Sequence, residues 1–494
     1  MDFLDPKKQR AHLIRLFIGY ILVGIALILT TIILLYQAYG FGIKNGEVIQ
    51  NGLVFVSSRP RPADIYVNNA KRDETTNSRL LLPAGQYTFR LQRDGYRTWQ
   101  RAITVEGGSV ARFDYPVLFP TKLTSSTIRT YDADPGTSTQ SPNRRWVMVQ
   151  DPVGYNVFDV YDLDNLDKNP LTLTLPQNTL HAQGTHSWEL VKWANDNKHV
   201  LLKHITNTNG TISSEYILVN REEAAETVNL TAKLGVNPTK IELRGDKYDK
   251  YYLFDQPTGT LKTATLEEPT PQPLLDHVLD FKSHSDDIVL YATDQGAPAG
   301  KSIIELKDGD KTYPIRQVAS GSMYLLNLAQ YSGDWYVVAG ASSDNRVYVY
   351  KNPQSSLNKK PDAPLVPVQV LKVPASNYVS FSDNARFIVA ESGPQFALYD
   401  AETDKGYAYI QKAQLDAPQA HATWMDGHRL MYVSGGKVFV FEFDNANKET
   451  LNAADPAHLP FFDNKYENLY SFTGQQNTAK FLLTNTPLLL PKDQ

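Results

Sequence analysis

The chain has 494 residues, enough for two or three domains, and its formal net charge of −4 gives no global field suited to nucleic acid. There is no cysteine, which excludes disulfides, thiol catalysis and thiolate-bound metals. The aromatic content of 11%, with 28 Tyr, points to a strand-rich chain, because such side chains suit a pleated, half-buried surface.

Residues 1–15 form a short basic tail carrying Lys7, Lys8, Arg10 and Arg15, followed over 16–38 by an apolar segment. From Leu16 to Tyr36 the run LFIGYILVGIALILTTIILLY holds no charge, close to the ~20 residues that cross a bilayer. The basic flank predicts a cytoplasmic N-terminus, with everything after the segment outside the cell membrane. Ala38-Tyr39-Gly40 offers a signal-peptide cleavage motif as the competing reading. The apolar run exceeds the ~7–15 residues of a signal-peptide core, which favours an uncleaved anchor. Residues 39–51 are Gly-rich and polar and read as a flexible link; Gly40 and Gly42 lack the third glycine of a dinucleotide fingerprint.

Residues 52–120 read as a small β-sandwich of six short strands. Tyr87, Phe89 and Leu91 alternate with polar residues, Asp94-Gly95 supplies a tight hairpin turn, and Trp99, Ile103 and Val105 mark the next strand. The segments GLVFVSSRPRPADIYVNN and LPAGQYTFRLQRDGYRTWQRAITVEGG resemble the PEGA domain. Ser58, Pro60, Ala63, Pro83, Gly85, Tyr87, Gly95, Tyr96 and Trp99 stand at the positions of its pattern. Two departures concern turns: proline replaces glycine in Pro60-Arg61-Pro62-Ala63, and Asn69 stands near the usual turn glycine. The resemblance implies an envelope context and an interaction or spacer role without catalysis; no kinase motif accompanies it. The segment 51–120 carries 10 Lys and Arg against 6 Asp and Glu, whereas 121–494 carries 34 against 44. Arg90, Arg93, Arg97 and Arg101 are candidates for contact with an anionic surface, the alternative being a solvated strand face.

From 121 to 494 a turn followed by an apolar strand recurs, most clearly in SPNRRWVMV, WANDNKHVLL, FSDNARFIVA and WMDGHRLMYV, with four weaker echoes. A spacing of roughly 48 residues predicts a β-propeller. It resembles the WD-repeat-like and TolB-like propellers, with seven or eight blades and seven favoured. Glu222–Leu234 is the one segment read as helical.

The candidates for chemistry are weak. GAPAGKS (296–302) has one residue too few between its glycines for a phosphate loop and precedes a strand pattern. His199 and His204 lie on opposite strand faces, while His181 and His186 sit in a polar loop without carboxylates. The types in Ser283-His284-Ser285-Asp286 are adjacent in sequence, which does not make a triad. Asp162, Asp164 and Asp167 lack the glycine and distal glutamate of a calcium loop. The expectation is a mainly β protein without catalytic, cofactor or metal residues. Its partners are the bilayer, through one helix, and an envelope protein or cell-wall glycan, through the propeller. A glycan hydrolase or lyase, marked by carboxylates converging at the channel mouth, is the second reading, and a structural spacer the third.

Overall fold

The computed structural model describes residues 6–38, 41–44, 47–181, 183–321, 323–361, 363–475 and 478–493. The tail residues 1–5, Tyr39 and Gly40 of the cleavage motif, and residues 476–477 of the last echo lie outside them. The chain divides into two units, residues 1–122 with 489–494, and residues 123–488. The sequence reading gave the whole of 121–494 to the propeller; the last residues belong instead to the first unit.

The first unit begins with one helix, Pro6–Ala38, whose span Gln9–Tyr36 is long and apolar enough to cross a membrane. The stretch expected to be a flexible link is folded where it is described. Phe41–Lys44 pairs antiparallel with the start of Glu47–Val56, so its peptide groups find ladder partners. These two strands belong to one of two four-stranded sheets, and the segment 52–120 holds seven described strands rather than six. The long strand Glu47–Val56 is central to one sheet, antiparallel to Ser78–Pro83 and parallel to Val110–Phe113. The other sheet holds Asp64–Val67, Ala70–Thr75, Gly85–Gln92 and Trp99–Val105. Between the sheets lie Val54, Ile65, Phe89, Leu91, Trp99 and Phe113, with Leu490 from the end of the chain against them.

The family-pattern residues have separable jobs here. Ser58 Oγ donates to the Pro60 carbonyl at 2.7 Å and meets Thr76 Oγ1 at 2.8 Å; Thr76 in turn accepts from the Ala63 N–H at 2.8 Å. Tyr87 donates its phenol to the Pro83 carbonyl at 2.9 Å, Gly85 opens that strand, and Trp99 is fully buried. Asn68 and Asn69 both adopt positive φ, so the asparagines supply the turn for which the pattern uses glycine. The Asp94-Gly95 turn forms, with Gly95 at φ 86° and the Tyr96 N–H on the Arg93 carbonyl, but the strands resume only at Trp99. Tyr96 leaves the ladder to bridge Pro120, so the expected tight hairpin is a longer connection.

The second unit is a β-propeller of eight four-stranded sheets, which corrects the preference for seven. Blades 1 to 7 occupy residues 138–174, 185–229, 240–275, 278–319, 324–371, 378–410 and 423–453, each antiparallel in chain order. Blade 8 takes three strands from 461–487 and its fourth, Ser126–Tyr131, from the start of the unit, which closes the ring. First strands of successive blades approach one another, as in blades 4 to 6, so they line the axis. Second strands such as Phe387–Ser392 are buried on both faces, which is why they read as unbroken apolar runs.

The recurrent turn is one physical device. In blade 1, Ser141 Oγ donates to Asn143 Oδ1 at 2.7 Å and accepts from the Trp146 N–H at 3.0 Å. In blade 6, Ser382, Asn384 and Phe387 repeat both bonds at the same distances. Arg145 grips Asp162, and Arg386 grips Asp400, each through two bonds of 2.8 and 2.7 Å. The helix expected over 222–234 shortens to Leu230–Leu234, capped by the Asn229 side chain and by Gly235 in the left-handed region. A second helix, Pro353–Lys359, was missed.

Candidate binding face of the propeller

Every blade runs from a loop end to a turn end and back twice. At the turn end, where first and second strands join, neighbouring turns interlock. The Asn143 N–H donates to Asn197 Oδ1 at 2.8 Å, the Asn195 N–H to the Asp246 carbonyl at 2.8 Å, and the Gly245 N–H to the Ser285 carbonyl at 3.1 Å. Arg144 of blade 1 pairs with Asp383 of blade 6, three blades away around the ring, and lies 4.9 Å from the Tyr466 ring. Burial pushes the Asp383 carboxyl up, against the pull of Arg144. The chain also enters and leaves the ring at this end, with Ser126 opposite Asn485.

The loop end carries the connections between blades and the second-to-third-strand loops, and four cavities open there. One of about 620 Å3 is walled by Gln256, Asp294, Lys301, Ser302 and Tyr324 of blades 3 to 5. It shares Gln256, Leu279 and Tyr324 with one of about 310 Å3 that reaches Lys240, Asp280 and the exposed Met323. Cavities of about 350 Å3 at Arg316 and Arg346, and about 260 Å3 at Arg129 and Asp151, open at the same end.

Beneath the first two lies a charged cluster built by the first strands of blades 3 and 4. In Lys240–Leu243 the residues alternate, so Ile241 and Leu243 enter the core while Lys240 and Glu242 face the first strand of blade 4, Val278–His284. Lys240 Nζ stands 3.0 Å from Glu242 Oε1 and 3.7 Å from Asp280 Oδ1, and donates to the Phe281 carbonyl at 2.8 Å. Glu242 Oε2 accepts from Ser283 Oγ at 2.6 Å, and Lys282 Nζ is 4.0 Å from Oε1. Burial alone would raise both carboxyls. At Glu242 the two lysines and Ser283 outweigh it and hold the group at about 2. At Asp280 burial prevails and the pKa is raised.

GAPAGKS is the second-to-third-strand loop of blade 4: Gly296 and Gly300 take positive φ and Lys301–Asp308 is a strand. Its residues wall the cavity of about 620 Å3, which sequence could not reveal. Ser283 serves Glu242, His284 meets the edge of Trp335 at 5.0 Å, and Asp286 binds Lys247 and Lys250 at 2.8 and 3.0 Å, so no triad forms. Asp162 is held at about 2 by its hydrogen bonds from Arg145, and no metal cluster of three or more such ligands occurs among the described residues.

His199 pairs with Asp196 at 2.6 Å and stacks on Tyr248. His186, expected in a loop without carboxylates, lies on the strand Thr185–Trp193 and meets His204, which meets Glu215. Register explains this: Trp188, His204 and Glu215 are directly opposite across three strands, and His186 is two residues along on the same face.

The four arginines of the first unit do not form one patch. Arg90 lies over the Tyr66 ring at 3.9 Å and Arg93 pairs with Asp493. Arg101, opposite Phe89 in the ladder and therefore on the other face from Arg90, donates to the Tyr115 phenol. Arg97 is half-buried, its N–H on the Phe119 carbonyl.

None of the curated proteins matches the chain in sequence. Among solved structures, it is similar to the Dos1 propeller, at 11% identity over 74% of this chain and 96% of that one, with a TM-score of 0.43. It is also similar to Kluyveromyces lactis Hsv2, at 8% over 67% and 98% with a TM-score of 0.38. An oligogalacturonate lyase in complex with manganese matches at 10% over 74% and 99%, with a TM-score of 0.38. Residues 51–117 match the family model of the PEGA domain, so the chain joins a PEGA domain to an eight-bladed β-propeller.

Proposed function

We propose that this is a single-pass membrane protein, N-terminus inside, whose PEGA domain and propeller lie outside the membrane. The loop end of the propeller binds another envelope protein or a cell-wall glycan and leaves it chemically unchanged. The helix supports the anchoring: at ~1.5 Å per residue, the 28 residues of Gln9–Tyr36 outreach a ~30 Å hydrocarbon core. The basic residues before it support the orientation. The loop end is supported as the binding face by its cavities and by the chain connections and interlocked turns at the opposite end.

One observation carries the non-catalytic reading. The point on which Glu242 and Asp280 converge, where a reacting atom would have to sit, is filled by the Lys240 ammonium. The test presents the full chain in detergent to envelope proteins and to isolated wall polymer. Retention of either, with the polymer recovered at unchanged size, supports the reading; retention of neither favours a spacer.

The reading as a glycan hydrolase or lyase draws on a different fact: Glu242 and Asp280 are pushed in opposite directions, the pattern by which paired carboxyls divide acid and base roles. Shortened polymer after incubation would favour it.

A further inference from the structure

At the loop end of blade 2, away from the Lys240 cluster, three side chains form a hydrogen-bonded chain. Glu215 Oε1 lies 2.8 Å from His204 Nδ1, and His204 Nε2 lies 3.0 Å from His186 Nδ1. Glu215 is itself held, by Asn229 Nδ2 at 2.7 Å and by the His181 N–H at 2.8 Å. Both rings are clamped: Trp188 stacks on His204 at 4.3 Å, and Tyr155, from the blade 1 loop, stacks on His186 at 3.9 Å. Trp188 Nε1 donates to the Tyr155 carbonyl at 2.7 Å and ties the two clamps together. His204 is fully buried and His186 half-buried.

The carboxylate fixes every proton in the chain. Glu215 only accepts, so His204 Nδ1 donates to it, and the neutral His204 ring must accept at Nε2. His186 therefore donates from Nδ1 and keeps a lone pair at Nε2. One further proton can enter there. A second would set two N–H groups face to face across 3.0 Å, and the pair would have to part. The charged groups acting on His186 are His204, His181 and Glu215; Tyr155 faces it from blade 1. Burial first, then the two histidines, lower the His186 pKa, and Glu215 opposes them. A histidine so lowered stabilises the fold while neutral, and that contribution is lost as pH falls below about 6.5.

We infer that Glu215, His204 and His186 form an acid-sensitive latch between blades 1 and 2: when the histidine pair takes up its second proton the rings part, Tyr155 is unseated and the loop 151–156 loosens. That loop supplies Asp151, Pro152 and Val153 to the wall of the cavity at Arg129, so a proton taken up by blade 2 reshapes a cavity of the loop end. The latch meets ambient pH if the propeller lies outside the membrane, and to that extent its use rests on the function proposed above; its existence does not.

The test is hydrogen–deuterium exchange of the full chain in detergent at about pH 7.5 and about pH 5, corrected for intrinsic exchange rate. The peptide covering 151–157 loses most of its protection at the acidic pH in the wild type. His186→Gln, which keeps a donor toward His204 but cannot titrate, retains protection at both. His199→Gln behaves as the wild type. Equal protection of 151–157 at both pH values in the wild type overturns the latch, as does the same acid loss in His186→Gln. Should that variant not fold, Glu215→Gln serves: without the carboxylate the pair holds its proton less well and the transition moves to lower pH, and an unmoved transition overturns the latch. Failure here leaves ligand retention by the loop end untouched, so the two readings fail separately.

Discussion

Asp493 Oδ2 accepts a 2.7 Å hydrogen bond from the phenol of Tyr96, a residue 397 positions earlier, and the same carboxylate pairs with Arg93. The Leu490 N–H also donates to the Tyr96 oxygen at 2.8 Å, and the Leu490 side chain lies where a Cβ on Gly95 would stand. The last residues are therefore part of the PEGA unit. The propeller sequence is inserted between the body of that unit and its closing segment.

This contact is expected to be measurable. Asp493→Asn should destabilise the first unit by about 1.5–3 kcal/mol near neutral pH, the range for hydrogen bonds to a charged group. The hydrogen bond from Arg93 holds the Asp493 carboxyl below its ordinary value, so its contribution is present above the unfolded pKa near 4 and lost as pH falls. Urea titrations of wild type and variant should differ most near pH 6 and converge in acid. Gly95→Ala should be worse than an ordinary turn substitution, since it meets both a positive φ and Leu490.

The repeated turn device predicts unequal costs for equal bonds. Arg386 and Asp400 are 16% and 1% exposed, Arg145 and Asp162 38% and 19%. Arg386→Ala strands a buried carboxylate and should cost about 3–5 kcal/mol. Arg145→Ala, in wetter surroundings, should cost several-fold less, as expected of an exposed ion pair. Denaturant unfolding of the two variants compares them directly.

Lys240→Met keeps the stem of the side chain and removes the charge between Glu242 and Asp280. Both carboxyls should then titrate higher. Glu242, held at about 2, gives stability that is present above the unfolded value near 4.3 and lost as pH falls through about 2. Acid unfolding of Lys240→Met should accordingly begin at higher pH than in the wild type, as read by circular dichroism.

In the PEGA unit, Trp99→Ala should cost about 3–5 kcal/mol, because the ring is 2% exposed and packs against Phe113 at 5.6 Å. Thermal unfolding would show it.

What sequence disclosed and what it hid divide along one physical line. Local devices were legible: Ser141 with Asn143, Ser382 with Asn384, and the alternation through Tyr87, Phe89 and Leu91 all act within a few residues. Features set by distant pairing were not. The strand Ser126–Tyr131 completes blade 8 only through partners at the far end of the unit, and that closure fixes the count at eight. Asp493 looked like the tail of a propeller. The Glu215–His204–His186 chain depends on strand register, and the cluster around Lys240 depends on two first strands lying side by side, neither of which one sequence reveals.

Binding of an envelope partner by the loop end, with the partner left unaltered, can be measured directly. The most direct measurement compares retention of envelope protein and wall polymer by the full chain, by a Gln256→Ala/Tyr324→Ala variant at the loop end, and by an Arg144→Ala variant at the turn end. The expected result is retention by the wild type and by Arg144→Ala, at least tenfold weaker retention by the loop-end variant (about 1.4 kcal/mol), and polymer of unchanged length. Retention that survives the loop-end changes but fails with Arg144→Ala, or polymer recovered in shortened form, would contradict it.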